Sequence, residues 1–171
     1  MKEIGIESLN DNVFSLMGKE WMLVAAGTPD NFNMMTASWG CLGWLWNRPV
    51  AFVFIRPERH TFGFAENNAA MTLSFLGNDR KMRELYNLLG TKSGRDIDKM
   101  HLEGLTPTPA PLGSVMFEES RLTIVGRKLF ITDMKECNFL DKSVLERWYG
   151  ETEGLHRIYV VQIEKVFAST E

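Results

Sequence analysis

Cysteine and histidine are scarce in this chain of 171 residues, with two of the former and three of the latter. Cys41 and Cys137 cannot build a disulfide framework, and two thiols fall short of a zinc site. His60, His101 and His156 lie far apart without ligand spacing, so each reads first as a surface or core histidine, and no metal is expected. Surplus charge is also missing. A formal net charge of -3 gives no electrostatic reason to expect nucleic acid or an anionic membrane as partner. The start, Met1-Lys2-Glu3-Ile4-Gly5-Ile6, lacks the apolar run of a signal peptide, and no stretch reaches the length of a membrane span. Repeats, linkers and low-complexity tracts are absent, as are G-x-G-x-x-G, P-loop, H-E-x-x-H and G-x-S-x-G signatures. A Rossmann-type nicotinamide domain is thereby disfavoured. The expectation is a reduced, cytoplasmic protein forming a single domain over residues 1–171.

What is present is mostly strand. Trp21 to Ala26 is an apolar run that stops at the turn formers Gly27-Thr28-Pro29-Asp30-Asn31, and Asn33 to Gly40 completes a hairpin. Val50 to Ile55 reads as a strand buried on both faces, and Met71 to Leu76 as another. Met82, Leu85, Tyr86 and Leu89 then fall at helical spacing, with Asp79 near the start and Gly90 just past the end. Shorter helices are expected at Thr61 to Glu66 and Asp96 to Leu102, followed by a proline-rich loop from Thr106 to Pro111. Leu122 to Val125, Lys128 to Thr132 and Ile158 to Val166 are strand-like, and Ser143 with Glu146 suggests a capping box for a helix holding Val144, Leu145 and Trp148. Successive strands joined by short turns predict a mainly β chain with short helices (α+β), its antiparallel sheet rolled into a barrel.

Three segments could carry chemistry. In Asn33-Met34-Met35-Thr36-Ala37-Ser38-Trp39-Gly40, Thr36 and Ser38 stand at alternate positions on one face. That face suits either a flat ligand lying close to the backbone or a packed neighbouring helix. Arg56 and Arg59, at the end of a buried strand and the start of a helix, make either an anion site or solvated charge. Gly90-Thr91-Lys92-Ser93-Gly94-Arg95-Asp96 makes either a phosphate cradle or a flexible connection.

In this order the segments resemble the flavin-reductase-like family of FMN-binding split barrels, which includes flavoredoxin. The resemblance rests on Asn33 to Trp39, on Pro49 to Thr61 with its Arg-Pro-x-Arg-x-Thr ending, on Ser93 to Lys99, and on Gly104 to Pro107. It implies an antiparallel split β-barrel, a homodimer and FMN near the subunit interface. It places Met35, Thr36, Ala37, Ser38 and Trp39 along the isoalloxazine and ribityl side, with Ile55 and Arg56 beside the ring. Arg59, Thr61, Lys92 and Ser93 become candidates for the phosphate and polar tail, and Ser74 to Leu76 a further wall. His156 is the one candidate side chain for the nicotinamide side, although Val161 stands where many relatives carry a glycine. Trp39 is expected near the cofactor, Trp44 and Trp46 in packing, and Cys41 as an inert buried thiol. The segment Cys137 to Gly154 is long enough to cover the site.

The resemblance implies an FMN-dependent oxidoreductase in which NAD(P)H reduces the flavin, which passes electrons to free flavin or a redox acceptor protein. The alternative is a flavoredoxin-like electron-transfer protein without NAD(P)H turnover. An oligonucleotide-binding barrel would need a basic groove interleaved with aromatics, which the acidic balance opposes. A pyridoxamine-oxidase-like role would use a related barrel, but the motifs point to the flavin-reductase branch.

Overall fold

The computed structural model describes residues 1–150 and 154–170. Its elements run β1 (Lys2–Ile4), α1 (Val13–Ser15), β2 (Met22–Thr28), β3 (Asn31–Ala37), β4 (Gly40–Leu45), β5 (Arg48–Ile55), α2 (His60–Asn67), β6 (Ala70–Phe75) and α3 (Arg80–Thr91). The chain continues with β7 (Pro107–Ala110), β8 (Ser114–Phe117), β9 (Leu122–Asp133), α4 (Lys142–Trp148) and β10 (Arg157–Ala168). Among the described residues, eight strands form one antiparallel sheet in the order β3-β2-β6-β9-β10-β5-β4, with β1 added on β10, while β7 and β8 pair separately.

This order explains the shape. β3 and β4 are the two ends of the main path, yet only Ser38 and Trp39 separate them along the chain. Three peptide links span at most about 11 Å, so the sheet must curl until its opposite edges nearly meet. They meet without pairing, which leaves a barrel split at Ser38–Trp39.

Side-chain alternation sorts the apolar residues into two cores. Met22, Val24 and Ala26 of β2 point into the barrel with Met35, Ala51, Val53 and Ile55. Leu23 and Ala25 point outward, where Leu85, Tyr86 and Leu89 of α3 cover them together with Phe117. β2 is thus buried on both faces. β5 is less so than expected, because Ala51, Val53 and Ile55 are buried while Phe52 and Phe54 on its other face are half-buried. Helix α3 starts where Asp79 accepts a hydrogen bond from Met82 N–H (3.0 Å), and Tyr86 fixes its face by accepting from Leu76 N–H (2.8 Å).

Several local expectations are corrected. The helix α3 continues through Gly90 to Thr91, and a Cβ at Gly90 would meet the Thr36 side chain at 3.3 Å, so that glycine serves close helix–strand packing. Asp96 to Leu102 forms turns, held by Asp96 and Ile97 N–H donating to Ser93 O and by Met100 N–H donating to Asp98; such bonds compete with helix. The proline-rich stretch contains a strand, since Pro107 and Pro109 share one parity of β7 and turn their missing N–H groups away from β8. Residues 122–125 and 128–132 belong to one strand, and Gly126 lies within it. Asp141, not Ser143, caps α4. Cys41 is exposed, as is Cys137. Trp44 and Trp46, expected in core or subunit-interface packing, lie outside both cores at 67% and 55% exposure, so only the core half of that expectation is corrected. Of the expected covering segment, residues 151–153 lie outside the described residues.

Candidate functional site

A cleft opens at the split of the barrel. Two adjoining cavities of about 280 and 360 Å³ share Met35, Arg56 and Arg59 as walls, and both are of small-molecule size. One end is cationic: five basic side chains (Arg56, Arg59, Lys92, Arg95, Lys99) face a single carboxylate, Glu58, among the described residues. Glu58 already accepts from Gly154 N–H. The other end is aromatic, walled by Trp39, Phe54, Trp148 and His156.

The floor between the ends is the free edge of β3. Met34 O accepts from Lys99 Nζ (3.1 Å), so peptide groups of this parity point away from β2. Thr36 has the same parity, and its N–H and C=O face the open edge. The Thr36 hydroxyl donates to Tyr86 O (2.6 Å), so that side chain serves helix packing while its backbone lines the cleft. Asn33 is buried and, with its amide oxygen toward Thr61, accepts from Thr61 N–H (3.2 Å) and hydroxyl (2.7 Å), tying β3 to the start of α2.

At the cationic end the groups are held in place. Arg59 donates to Gly90 O (2.8 Å) and Arg95 to Glu58 O (3.1 Å). Lys99 is buried, donating to Leu89 O (2.8 Å) as well as Met34 O, and burial followed by the nearby Arg59 charge brings its pKa down to about 8. Burial, then Arg95 and Lys99, also lowers the pKa of His60. Gly94 passes so close to Asn33 and His60 that a Cβ there would lie 2.8 Å from His60 Cδ2. Such a concentration of donors and positive charge beside a helix start suits a phosphate.

At the aromatic end, His156 pairs through Nδ1 with the Tyr149 hydroxyl (2.8 Å). Burial, followed by the Arg56 and Arg59 charges, drops the His156 pKa to about 4, so the ring is neutral at pH 7. Burial raises the pKa of Tyr149, which stays protonated, and its hydroxyl sits between His156 Nδ1 and Met134 Sδ (3.4 Å). Trp39 meets Trp148 edge to face with ring centroids 5.3 Å apart, and Arg56 anchors α4 by donating to Trp148 O (2.9 Å). Part of the segment 137–150 thus walls the ring end of the cleft.

The structure brings Met35, Thr36, Ala37, Ser38 and Trp39 to this cleft with Arg56 and Arg59, and Thr61, Lys92, Ser93 and His156 join them. Ile55 and Ser74 do not line it: Ile55 lies in the barrel core, and Ser74 is buried with its hydroxyl 3.2 Å from that of Thr123. Asn33, Phe54, Lys99 and Trp148 were not picked out as site residues from sequence. Phe54 was within reach, since strand alternation puts it on the face of Arg56 and opposite Ile55.

The chain matches the model of the flavin reductase like domain over residues 14–170 and belongs to that family. At family level it is a flavin-related oxidoreductase. Solved structures similar to it include an FMN-binding protein from Thermus thermophilus with bound p-hydroxybenzaldehyde (18% identity, TM-score 0.67, covering 99% of this chain and 82% of that one). Flavoredoxin from Methanosarcina acetivorans is similar at 19% identity and TM-score 0.66, over 99% of this chain and 76% of that one. Flavoredoxin of Desulfovibrio vulgaris shows 19% identity and TM-score 0.65, over 95% and 75% of the two chains. At these identities the likeness establishes the fold. No curated protein sequence matches the chain.

Proposed function

We propose that the cleft holds FMN and that the protein is an NAD(P)H-dependent flavin reductase or acceptor reductase. One observation carries this reading: a single cleft has five cations at one end, aromatic walls at the other, and a free strand edge between. Arg59, Lys92, Ser93 and Arg95, with Thr61 at the start of α2, would take the phosphate. The edge peptide of Thr36, with Ser38, would address the heteroatoms of the ring, and Trp39 and Phe54 would flank it. The bound flavin supplies the hydride chemistry, while the protein orients it and excludes water. The Thr36 N–H on the free β3 edge would stabilise negative charge developing on a ring held there. His156, neutral at pH 7, brings a polar ring without charge to the ring end.

The electron-carrier reading has a specific observation in its favour, because Trp148 stands at the ring end with its carbonyl tied to Arg56. Steady-state NADH or NADPH consumption with added FMN separates the two. Turnover supports the reductase, and bound FMN that neither nucleotide reduces supports the carrier.

A homodimer is part of the same proposal. Trp46 and Asn47 form the two-residue β4–β5 turn with φ of 50° and 57°, a conformation costly for tryptophan. Trp46 also lies 6.0 Å from Phe130 by ring centroids, and both rings are exposed. An exposed aromatic face held in strained backbone fits a subunit interface. Among the described residues, no helix is long and apolar enough to cross a membrane.

A further inference from the structure

The hydroxyl of Tyr149 has one hydrogen and two acceptors within reach. It stands 2.8 Å from His156 Nδ1 and 3.4 Å from Met134 Sδ. A thioether sulfur only accepts, whereas an imidazole nitrogen accepts when bare and donates when it carries the ring hydrogen. Two arrangements therefore satisfy all three groups. In the first, the hydroxyl donates to Nδ1 and the ring hydrogen of neutral His156 sits on Nε2. In the second, the hydroxyl donates to Met134 Sδ and accepts from Nδ1–H, which leaves Nε2 bare.

We infer that Tyr149 and Met134 make His156 an adjustable partner for the flavin ring, its Nε2 donating to the oxidised ring and accepting from the reduced one. The inference rests on the flavin reading of the cleft and adds two positioning residues to it. A flavin ring nitrogen accepts hydrogen bonds when oxidised, and after two-electron reduction N5 carries a hydrogen and donates. A fixed donor suits the first state and opposes the second. Passing between the two arrangements moves one hydrogen from Nε2 to Nδ1 by way of solvent water and turns the Tyr149 hydroxyl toward Met134. The net count of protons and the net charge stay the same.

The surroundings leave the tautomer as the adjustable feature. His156 walls the ring end of the cleft, while Tyr149 and Met134 line an adjoining apolar cavity of about 310 Å³. Nδ1 is engaged on that side, and among the described residues Nε2 has no hydrogen-bond partner. The imidazole is packed by Trp39, Phe54 and Tyr149, with ring centroids 5.2, 6.4 and 5.5 Å away, which opposes its rotation. Burial with the Arg56 and Arg59 charges keeps it neutral at pH 7, so it holds one ring hydrogen and not two. Sulfur is the weaker acceptor, which makes the first arrangement the resting one.

Met134→Leu preserves the apolar volume and removes the sulfur, which ties the hydroxyl to Nδ1. Nitrogen-15 NMR of histidine-labelled, FMN-loaded protein reads which His156 nitrogen carries the hydrogen in the oxidised and dithionite-reduced states. His156→Gln assigns its signals among the three histidines. The expected result for the wild type is Nε2–H when oxidised and Nδ1–H when reduced. In Met134→Leu, Nε2–H should persist in both states. Reduced FMN should then bind about tenfold more weakly relative to oxidised FMN, lowering the midpoint potential by about 30 mV for a two-electron couple. One tautomer in both states of the wild type, or a charged ring in the reduced state, overturns the inference. So does a Met134→Leu variant whose tautomer still changes, or one that weakens both flavin forms equally, as a packing defect would. Failure of the wild type to bind FMN overturns the flavin reading, and this inference falls with it.

Discussion

Lys99 offers the sharpest test of how the cleft holds an anion. Its ammonium group is buried against Met34 O and Leu89 O, with a pKa of about 8 where an unfolded lysine has about 10.4. A phosphate dianion entering the cavity that Lys99 lines would restabilise the charged form. At an effective dielectric of about 20 and a separation of roughly 6 Å, each unit charge contributes about 3 kcal/mol before solvent screening. After screening, a rise of about 1.5 pK units on binding is a fair working value. Binding then takes up a proton at Lys99 between pH 8 and 9.5, and FMN affinity falls about tenfold from pH 7 to pH 9.5. The phosphate, with its second pKa near 6, does not titrate in that window. Fluorescence titrations at pH 7, 8, 9 and 9.5 would measure the fall, with riboflavin as the ligand that lacks the phosphate. Lys99→Met should bind FMN more weakly at pH 7 and without the pH slope. A flat wild-type profile, or the same slope in Lys99→Met or with riboflavin, would refute the reasoning. The sign for the free protein is opposite: the unfolded chain binds more protons between pH 8 and 10.4, so the stability contribution from Lys99 rises with pH across that range.

Gly94→Ala forces a methyl against Asn33 and His60, displacing the loop that carries Lys92 and Ser93, and should weaken FMN about tenfold while changing riboflavin affinity less. Gly126→Ala sets a Cβ 2.5 Å from Val161 Cγ1 and 2.6 Å from Gln162 O; it should destabilise the fold by about 1–3 kcal/mol in urea melts, and an unchanged midpoint would contradict that packing. His156 is neutral in the fold with a pKa of about 4 against about 6.5 unfolded, so stability is steady above pH 6.5 and drops by up to about 3 kcal/mol as pH falls to 4. His156→Gln should flatten that part of the pH–stability curve. Trp148→Ala opens the ring end, and if Trp148 restricts entry, NAD(P)H turnover with FMN should increase.

Much of the framework was legible in the chain because period and punctuation agreed. The β2–β3 hairpin, β6 and α3 each combine a clear apolar pattern with a turn or cap signal, and the structure places them where that pattern does. Elements whose reason is tertiary were less legible. β4 is rich in glycine and tryptophan and has no alternation a single sequence would reveal; its place as the far sheet edge follows from closure of the barrel. Lys99 belongs to a turn segment that reads as a helix, and only the approach of β3 and α3 turns it inward. Ile55 shows the limit of borrowing roles from a resemblance, because strand parity sends its side chain into the core and gives the cleft to Phe54 and Arg56.

The central claim is that one cleft at the split of the barrel holds FMN. The most direct measurement is the visible absorption spectrum of the purified protein, followed by titration of the desalted protein with FMN. The account predicts flavin bands in the purified sample or saturable quenching of FMN fluorescence, with about tenfold or greater weakening in Arg59→Ala through loss of a charged phosphate contact. A colourless protein that leaves FMN fluorescence unchanged at tens of micromolar would contradict it.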